Sequence, residues 1–182
     1  MTNLAKLPAF VAIDAFNVVV ESPRGAGVKL KYDLRSNIMG VSRPLPIGTV
    51  FPFDWGFVPS TMGPDGDPLD AIVIWDASTF PGVVIECRAA GSIQVEQNRI
   101  DGSRKSRVRN DRVLAVPTSD RRSAIGRRLV LDRRIRHELE NFLVAVTALE
   151  GKDIKILGWS GANATLKYIA SHQERQRKRT RG

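Results

Sequence analysis

The sequence has one cysteine, Cys87, and two histidines, His137 and His172. A single thiol cannot close an internal disulfide, and so few soft ligands cannot build a zinc cluster. Apolar stretches such as Phe10 to Val20 are broken by Asp14 and Asn17 and fall short of the ~20 residues a membrane helix needs. The first residues carry one Lys, no clean apolar core and no small-residue cleavage site, so no signal peptide is read there. No internal repeat and no linker stand out. What is present is an ordinary globular composition, 42% hydrophobic and 26% charged over 182 residues. That excludes a disordered or fibrous chain. The expectation is a single domain over residues 1–182 in a reducing, cytoplasmic setting.

Charge is plentiful but uneven. The net charge of +9 comes from 28 Lys and Arg against 19 Asp and Glu. Residues 1–98 hold 7 basic and 10 acidic side chains, whereas residues 99–136 hold 13 and 4, and the tail 174–182 holds 5 and 1. The excess therefore sits in two late segments. The carboxylates concentrate in the first half, where the chemistry is expected.

Residues 1–16 read as an N-terminal arm. From Asn17 the chain reads as β: Val18, Val19 and Val20 form a β-branched run closed by Glu21, Ser22 and Pro23. Val28, Leu30 and Tyr32 then alternate with Lys29, Lys31 and Asp33, which puts both lysines on one face. Leu69 to Trp75, Val83 to Ala90 and Val113 to Val116 read as further strands. Residues 97–111 lack apolar periodicity and carry five Arg or Lys residues, so a long solvated basic loop is expected. Ile135, Leu139, Phe142, Leu143, Val146 and Leu149 recur at helical spacing, with Gly151 placed as a C-terminal cap. Ile154 to Leu157 reads as a strand, and Ala162 to about Ala170 as a second helix running into the basic tail. Many short strands followed by helices predict an α+β fold around a closed or nearly closed barrel.

The sharpest chemical feature is Asp65-Gly66-Asp67-Pro68-Leu69-Asp70. Three carboxylates on a Gly/Pro turn repel one another unless a cation is near. Hard Mg²⁺ suits such oxygen donors. The same six residues also suit a plain acidic surface turn. Lys29, Lys31 and Arg43 precede the motif and Arg112 follows it. Carboxylates with converging cations are what a phosphate or pyrophosphate group requires. Each cation taken alone equally suits a solvated strand face.

With Val20-Glu21-Ser22-Pro23, Phe51-Pro52-Phe53-Asp54-Trp55-Gly56-Phe57-Val58-Pro59, the Asp65–Asp70 motif and Gly158-Trp159 in this order, the chain resembles soluble family I inorganic pyrophosphatases. The resemblance runs from about Asn17 to Ile169. It implies a five-stranded, OB-like barrel with flanking C-terminal helices. It also implies Mg²⁺-dependent hydrolysis of inorganic pyrophosphate to two phosphates, and a homo-oligomer, with a hexamer favoured. Asp65 and Asp70 would hold Mg²⁺, Asp67 would be the general base, and Lys29 and Arg43 would bind phosphate oxygens. Glu21 would order metal-bound water. Arg112 stands where the family has a phosphate-binding lysine, exchanging a point charge for a fork.

The departures from that resemblance share a direction. Lys31 replaces a glutamate, Gln97 an aspartate and Asn110 a ligand aspartate, with Asp111 beside it as a candidate substitute ligand if a bulge re-aims it. Trp55 and Phe51 replace tyrosines, and Val146-Thr147 replaces a Tyr-Lys pair. The implied site holds one or two Mg²⁺ ions, fewer than the family's, with Lys31 contacting phosphate directly and hydrolysis slowed. The alternative is a catalytically impaired relative that binds phosphate, a nucleotide or a polyanion through a basic pocket. Nucleic acid on the basic segment 97–111 and the tail is less favoured, since no aromatic residue interleaves there. His137 and His172 are read as helix surface or partly buried, and Cys87 as core.

Overall fold

The computed structural model describes residues 3–101, 104–119, 132–148 and 151–181, with backbone alone for 99–101, 104–105 and 174–181. Among the described residues there are nine strands and two long helices: β1 (Ala15–Ser22), β2 (Val28–Asp33), β3 (Ile38–Pro44), β4 (Asp54–Val58), β5 (Leu69–Val73), β6 (Val84–Asp101), β7 (Arg104–Arg109), β8 (Arg112–Pro117), α1 (Arg133–Ala148), β9 (Ile154–Gly161) and α2 (Ala162–Arg181). A short 3-10 turn, Leu4–Lys6, lies in the N-terminal arm.

Five strands close a ring. β1 pairs with β4, β4 with β5, β5 with β8 in parallel, β8 with β6, and β6 returns to β1. The expected α+β, five-stranded OB-like barrel with C-terminal helices is therefore present. β6 is long enough to pair in turn with β1, β8, β9 and β7. β2 and β3 form a separate hairpin, with Lys29 opposite Arg43.

The apolar runs of β5 and β8 do not alternate with polar residues because both of their faces are covered. Ala71, Val73, Val113 and Ala115 join one buried cluster with Phe16, Val18 and Val58. Ile72, Ile74, Leu114 and Val116 join another, under Leu139, Phe142 and Leu143 of α1. Strands covered on both faces read as continuous hydrophobic runs. Ile72→Ala in such a place would cost about 2–5 kcal/mol. Gly56 belongs to this packing. A Cβ there would stand 1.8 Å from the Val19 carbonyl oxygen, so only glycine lets β4 approach β1.

The basic segment 97–111 is not a loop. β6 and β7 continue it as a paired ribbon, Gln97 opposite Val108 and Asn98 opposite Arg107. Charge pairing replaces apolar burial there: Arg107 bonds Glu96 at 3.4 Å and Asp153 at 2.8 Å. The ribbon tip, Leu149 and the side chains of the tail arginines lie outside the described residues. Cys87 is core, with burial pushing its thiol up. His172 is buried against the Tyr168 ring, more enclosed than a helix-surface position. Among the described residues no helix is long and apolar enough to cross a membrane.

Candidate active site

The Asp65–Asp70 motif forms a tight turn held by its own backbone. Gly63 N donates to Asp67 O at 2.7 Å, and Gly66 N to Gly63 O at 3.1 Å. Gly66 has φ +90°, a left-handed geometry that glycine adopts without strain. Asp67 N donates to Asp65 Oδ1 at 3.2 Å. Thr61 Oγ1 anchors the exit, accepting from Leu69 N at 3.0 Å and donating to Val58 O at 2.6 Å. β5 then begins, so Asp70 leaves the turn on a fixed strand. These constraints turn all three carboxylates toward one cavity.

That cavity is lined by Glu21 of β1, Lys29 and Lys31 of β2, Arg43 of β3 and Trp55 of β4. Asp65, Asp67, Asp70, Gln97, Asn110 and Arg112 complete its polar wall. Phe51, Leu143, Val146 and Thr147 form its apolar side. The period-two reading of β2 holds: both lysines face inward together. Asn110 and Arg112 share a side of the chain, and Asp111 points the other way. Its carboxylate accepts from Val95 N at 3.0 Å and from the Arg109 guanidinium at 3.0 and 2.8 Å. No bulge re-aims it, so Asp111 leaves the candidate metal-ligand set. Asp111 lies in the turn between β7 and β8, and those hydrogen bonds hold its carboxylate away from the cavity.

Each carboxylate of the motif already has a partner from this chain. Lys31 Nζ lies 2.7 Å from Asp67 Oδ2. Arg112 Nη1 pairs with Asp70 Oδ2 and also donates to Asn110 O at 2.8 Å. Asn110 Nδ2 donates to Asp65 Oδ2 at 2.9 Å. The Arg112 guanidinium lies 5.7 Å from the Trp55 ring centre. Arg43 is steadied from α1, donating to Val146 O at 2.8 Å.

Electrostatics follow from burial and crowding. Burial pushes Glu21 up to about 7, aided by the Asp70 charge and opposed by the hydrogen bond from Tyr32 N at 2.7 Å. Asp65 is raised by burial and by Asp70 and Asp67, with Arg112 opposing. For Lys31, burial acts downward, but Asp67, Glu21 and Asp70 outweigh it and the ammonium is held above its ordinary value.

Lys152 also lines the cavity and was not anticipated. It follows Gly151 just past α1, where its N–H closes on Thr147 O at 3.3 Å. It brings a cation to the wall where Val146 and Thr147 bring none. No local pattern marks it. Among the described residues, five cations (Lys29, Lys31, Arg43, Arg112, Lys152) line the cavity against four carboxylates (Glu21, Asp65, Asp67, Asp70).

Among the described residues no three His, Cys, Asp or Glu side chains group tightly enough to hold a metal ion as they stand. The donors nonetheless suit a hard cation. Asp65 and Asp70 are oxygen donors that repel each other, as the raised Asp65 shows. Gln97 and Asn110 are amides and add no negative charge to the set.

A family model described as inorganic pyrophosphatase matches residues 18–177. An inorganic pyrophosphatase of Synechocystis is 34% identical over 169 residues, covering 92% of this chain and 95% of the relative. One from Thermus thermophilus is 34% identical over 177 residues, covering 93% and 95%. The crystal structure of inorganic pyrophosphatase from Thermus thermophilus superposes with a TM-score of 0.83 at 31% identity, covering 97% of this chain and 99% of that one. A Coxiella burnetii inorganic pyrophosphatase structure gives 0.80 at 31% identity, covering 93% and 99%. Sequence and architecture agree over nearly the whole length, and this chain belongs to the inorganic pyrophosphatase family.

Proposed function

We propose that this chain hydrolyses inorganic pyrophosphate to two phosphates with Mg²⁺, using one or two ions. The observation that carries this reading is the convergence of Asp65, Asp67 and Asp70 with Lys29, Arg43 and Arg112 on one cavity. Asp65 and Asp70 are the residues that would hold Mg²⁺, which neutralises phosphate charge and lowers the pKa of water. Asp67 is the base that takes the proton of the attacking water, once Lys31 turns from it to a phosphate oxygen. Lys29, Arg43 and Arg112 neutralise charge that builds on the phosphoryl oxygens. Glu21, near 7, holds or releases a proton at the cavity wall. Trp55 stacks against Arg112 and keeps its fork aimed inward.

The impaired-binder alternative has the same cavity but no need of an unprotected base at Asp67. Exposed Ile13 and Phe80 support assembly into a homo-oligomer, proposed as a hexamer in the cytoplasm. The test is Mg²⁺-dependent phosphate release. Asp67→Asn should lower it by ~10²-fold or more, the general-base contribution, while leaving the circular dichroism spectrum intact. Wild-type protein that folds, binds pyrophosphate and releases no phosphate would establish the binder instead. A calorimetric titration showing three tight Mg²⁺ sites would refute the reduced metal load. The combined variant Lys31→Glu, Gln97→Asp, Asn110→Asp should raise the ion count.

A further inference from the structure

Two polar atoms in the cavity wall have no hydrogen-bond partner among the described residues. Gln97 Oε1 and Arg112 Nε are shielded and unbonded, and each residue is 6% exposed. Leaving such an atom unsatisfied carries a free-energy cost, and native structures keep few of them. Both side chains line the same cavity. One atom is an acceptor only; the other is a donor only. Arg112 Nη1 is engaged with Asp70 and with Asn110 O. The surrounding excess of cations calls for an anion. An anion that satisfies both orphans must offer a lone pair to Arg112 and a proton to Gln97. A fully ionised oxyanion can satisfy Arg112, but it turns its lone pairs against Gln97 Oε1.

We propose that Gln97 makes this cavity selective for phosphoryl groups that carry a proton. Gln97 Oε1 accepts from a P–OH of hydrogen pyrophosphate or hydrogen phosphate, and Arg112 Nε donates to an ionised P–O oxygen. The proposal deepens the pyrophosphatase reading and rests on it for the identity of the anion. It also suits a lightly metallated site, since a proton on the substrate removes one negative charge that bound cations would otherwise have to offset. Discrimination comes as much from rejecting the wrong anion as from welcoming the right one.

The probes are inorganic phosphate and sulfate, titrated calorimetrically into the metal-free full chain in alkaline buffer. There both anions are divalent and similar in size, and only phosphate has a hydrogen to donate. Phosphate should bind ~10-fold or more tightly than sulfate, which is about 1.4 kcal/mol. Gln97→Met removes the acceptor at similar volume and should shrink the preference to within ~2-fold. Gln97→Glu keeps an acceptor and should keep the preference while weakening both anions. Equal binding of phosphate and sulfate by the wild type overturns the proposal, because an amide presenting Nε2 or a resident water on Oε1 would give that result. A preference that survives in folded Gln97→Met also overturns it. The wild-type comparison stands even if the Met variant does not fold. Selective phosphate binding without pyrophosphate hydrolysis would defeat the enzymatic reading alone. Hydrolysis with no anion preference would defeat this proposal alone, and failure to bind either anion or pyrophosphate would defeat both.

Discussion

Arg112–Asp70 and Lys31–Asp67 are two ion pairs built on one six-residue motif, and they differ in almost everything but charge. Arg112 sits on a ring strand, its side chain 7% exposed, with Asp70 28% exposed. It is backed by the Asn110 carbonyl and the Trp55 ring. Lys31 sits on the β2–β3 hairpin, outside the ring, and both it and Asp67 are 49% exposed. A buried pair is costly to break because the survivor is left as an uncompensated charge. An exposed pair is screened by water and contributes little. The same motif thus combines a fixed end, where Asp70 is held by the barrel, and a loose end, where Asp67 can exchange its partner. The general base proposed at Asp67 sits at that loose end.

The largest effect should come from breaking the buried pair. Arg112→Met leaves Asp70 facing the cavity without its cation. We expect a loss of about 3 kcal/mol in urea unfolding, at the low end for buried pairs because Asp70 retains some solvent. Adding Asp70→Asn removes the orphaned charge and should restore part of that loss, so the double-mutant cycle should be strongly non-additive. Additive losses would mean the two residues are independent, and the contrast between the pairs would disappear.

Next comes Glu21, which reports the buried wall beside Asp70. Its carboxyl titrates near 7 in the folded protein against 4.5 when free. Between those values the folded state holds more protons than the unfolded state. Stability of the metal-free protein must then fall as pH rises through this window. The difference of 2.5 (7 less 4.5) corresponds to about 3 kcal/mol at 1.36 kcal/mol per unit, an upper figure for a site that can relax. Chemical unfolding at pH 5 and pH 8 measures it. Glu21→Gln, which mimics the protonated form, should flatten the slope and be the more stable protein at pH 8. A slope unchanged by Glu21→Gln would assign the pH dependence elsewhere.

Much of this architecture is written in local pattern. The β-branched run at Val18–Val20 is buried on both faces, the β2 lysines share the cavity side, and the helical stripe from Ile135 to Val146 follows from burial on one face. The carboxylate turn is legible because glycine and proline dictate its shape. β4 is harder to see, since Asp54 to Val58 is buried throughout and carries Gly56, so neither alternation nor length marks it. Its Asp54 is satisfied by Arg24 N at 2.7 Å and Thr79 Oγ1 at 2.8 Å, a structural staple within the motif. β3 is mostly exposed, and its strand character comes from pairing with β2. The β6–β7 ribbon looks like a loop because cross-strand charges, not a core, hold it. Lys152 reaches the cavity through tertiary packing, which the residue types around it do not announce.

The smallest stability effect should come from the exposed pair. Lys31→Met removes one of the five cavity cations and frees Asp67, but both partners already meet water. We expect unfolding free energy to change by no more than about 0.5 kcal/mol, a Tm shift under ~2 °C for a chain of this size. Function should respond more than stability. Without Lys31 the KM for pyrophosphate should rise several-fold, the response expected when a contact that helps bind the substrate is lost. Differential scanning calorimetry beside steady-state kinetics reads both quantities. A Tm drop comparable to that of Arg112→Met would show that Lys31 holds the motif together as Arg112 does. Asp67 would then have no loose end to work from, and another group would have to take the proton.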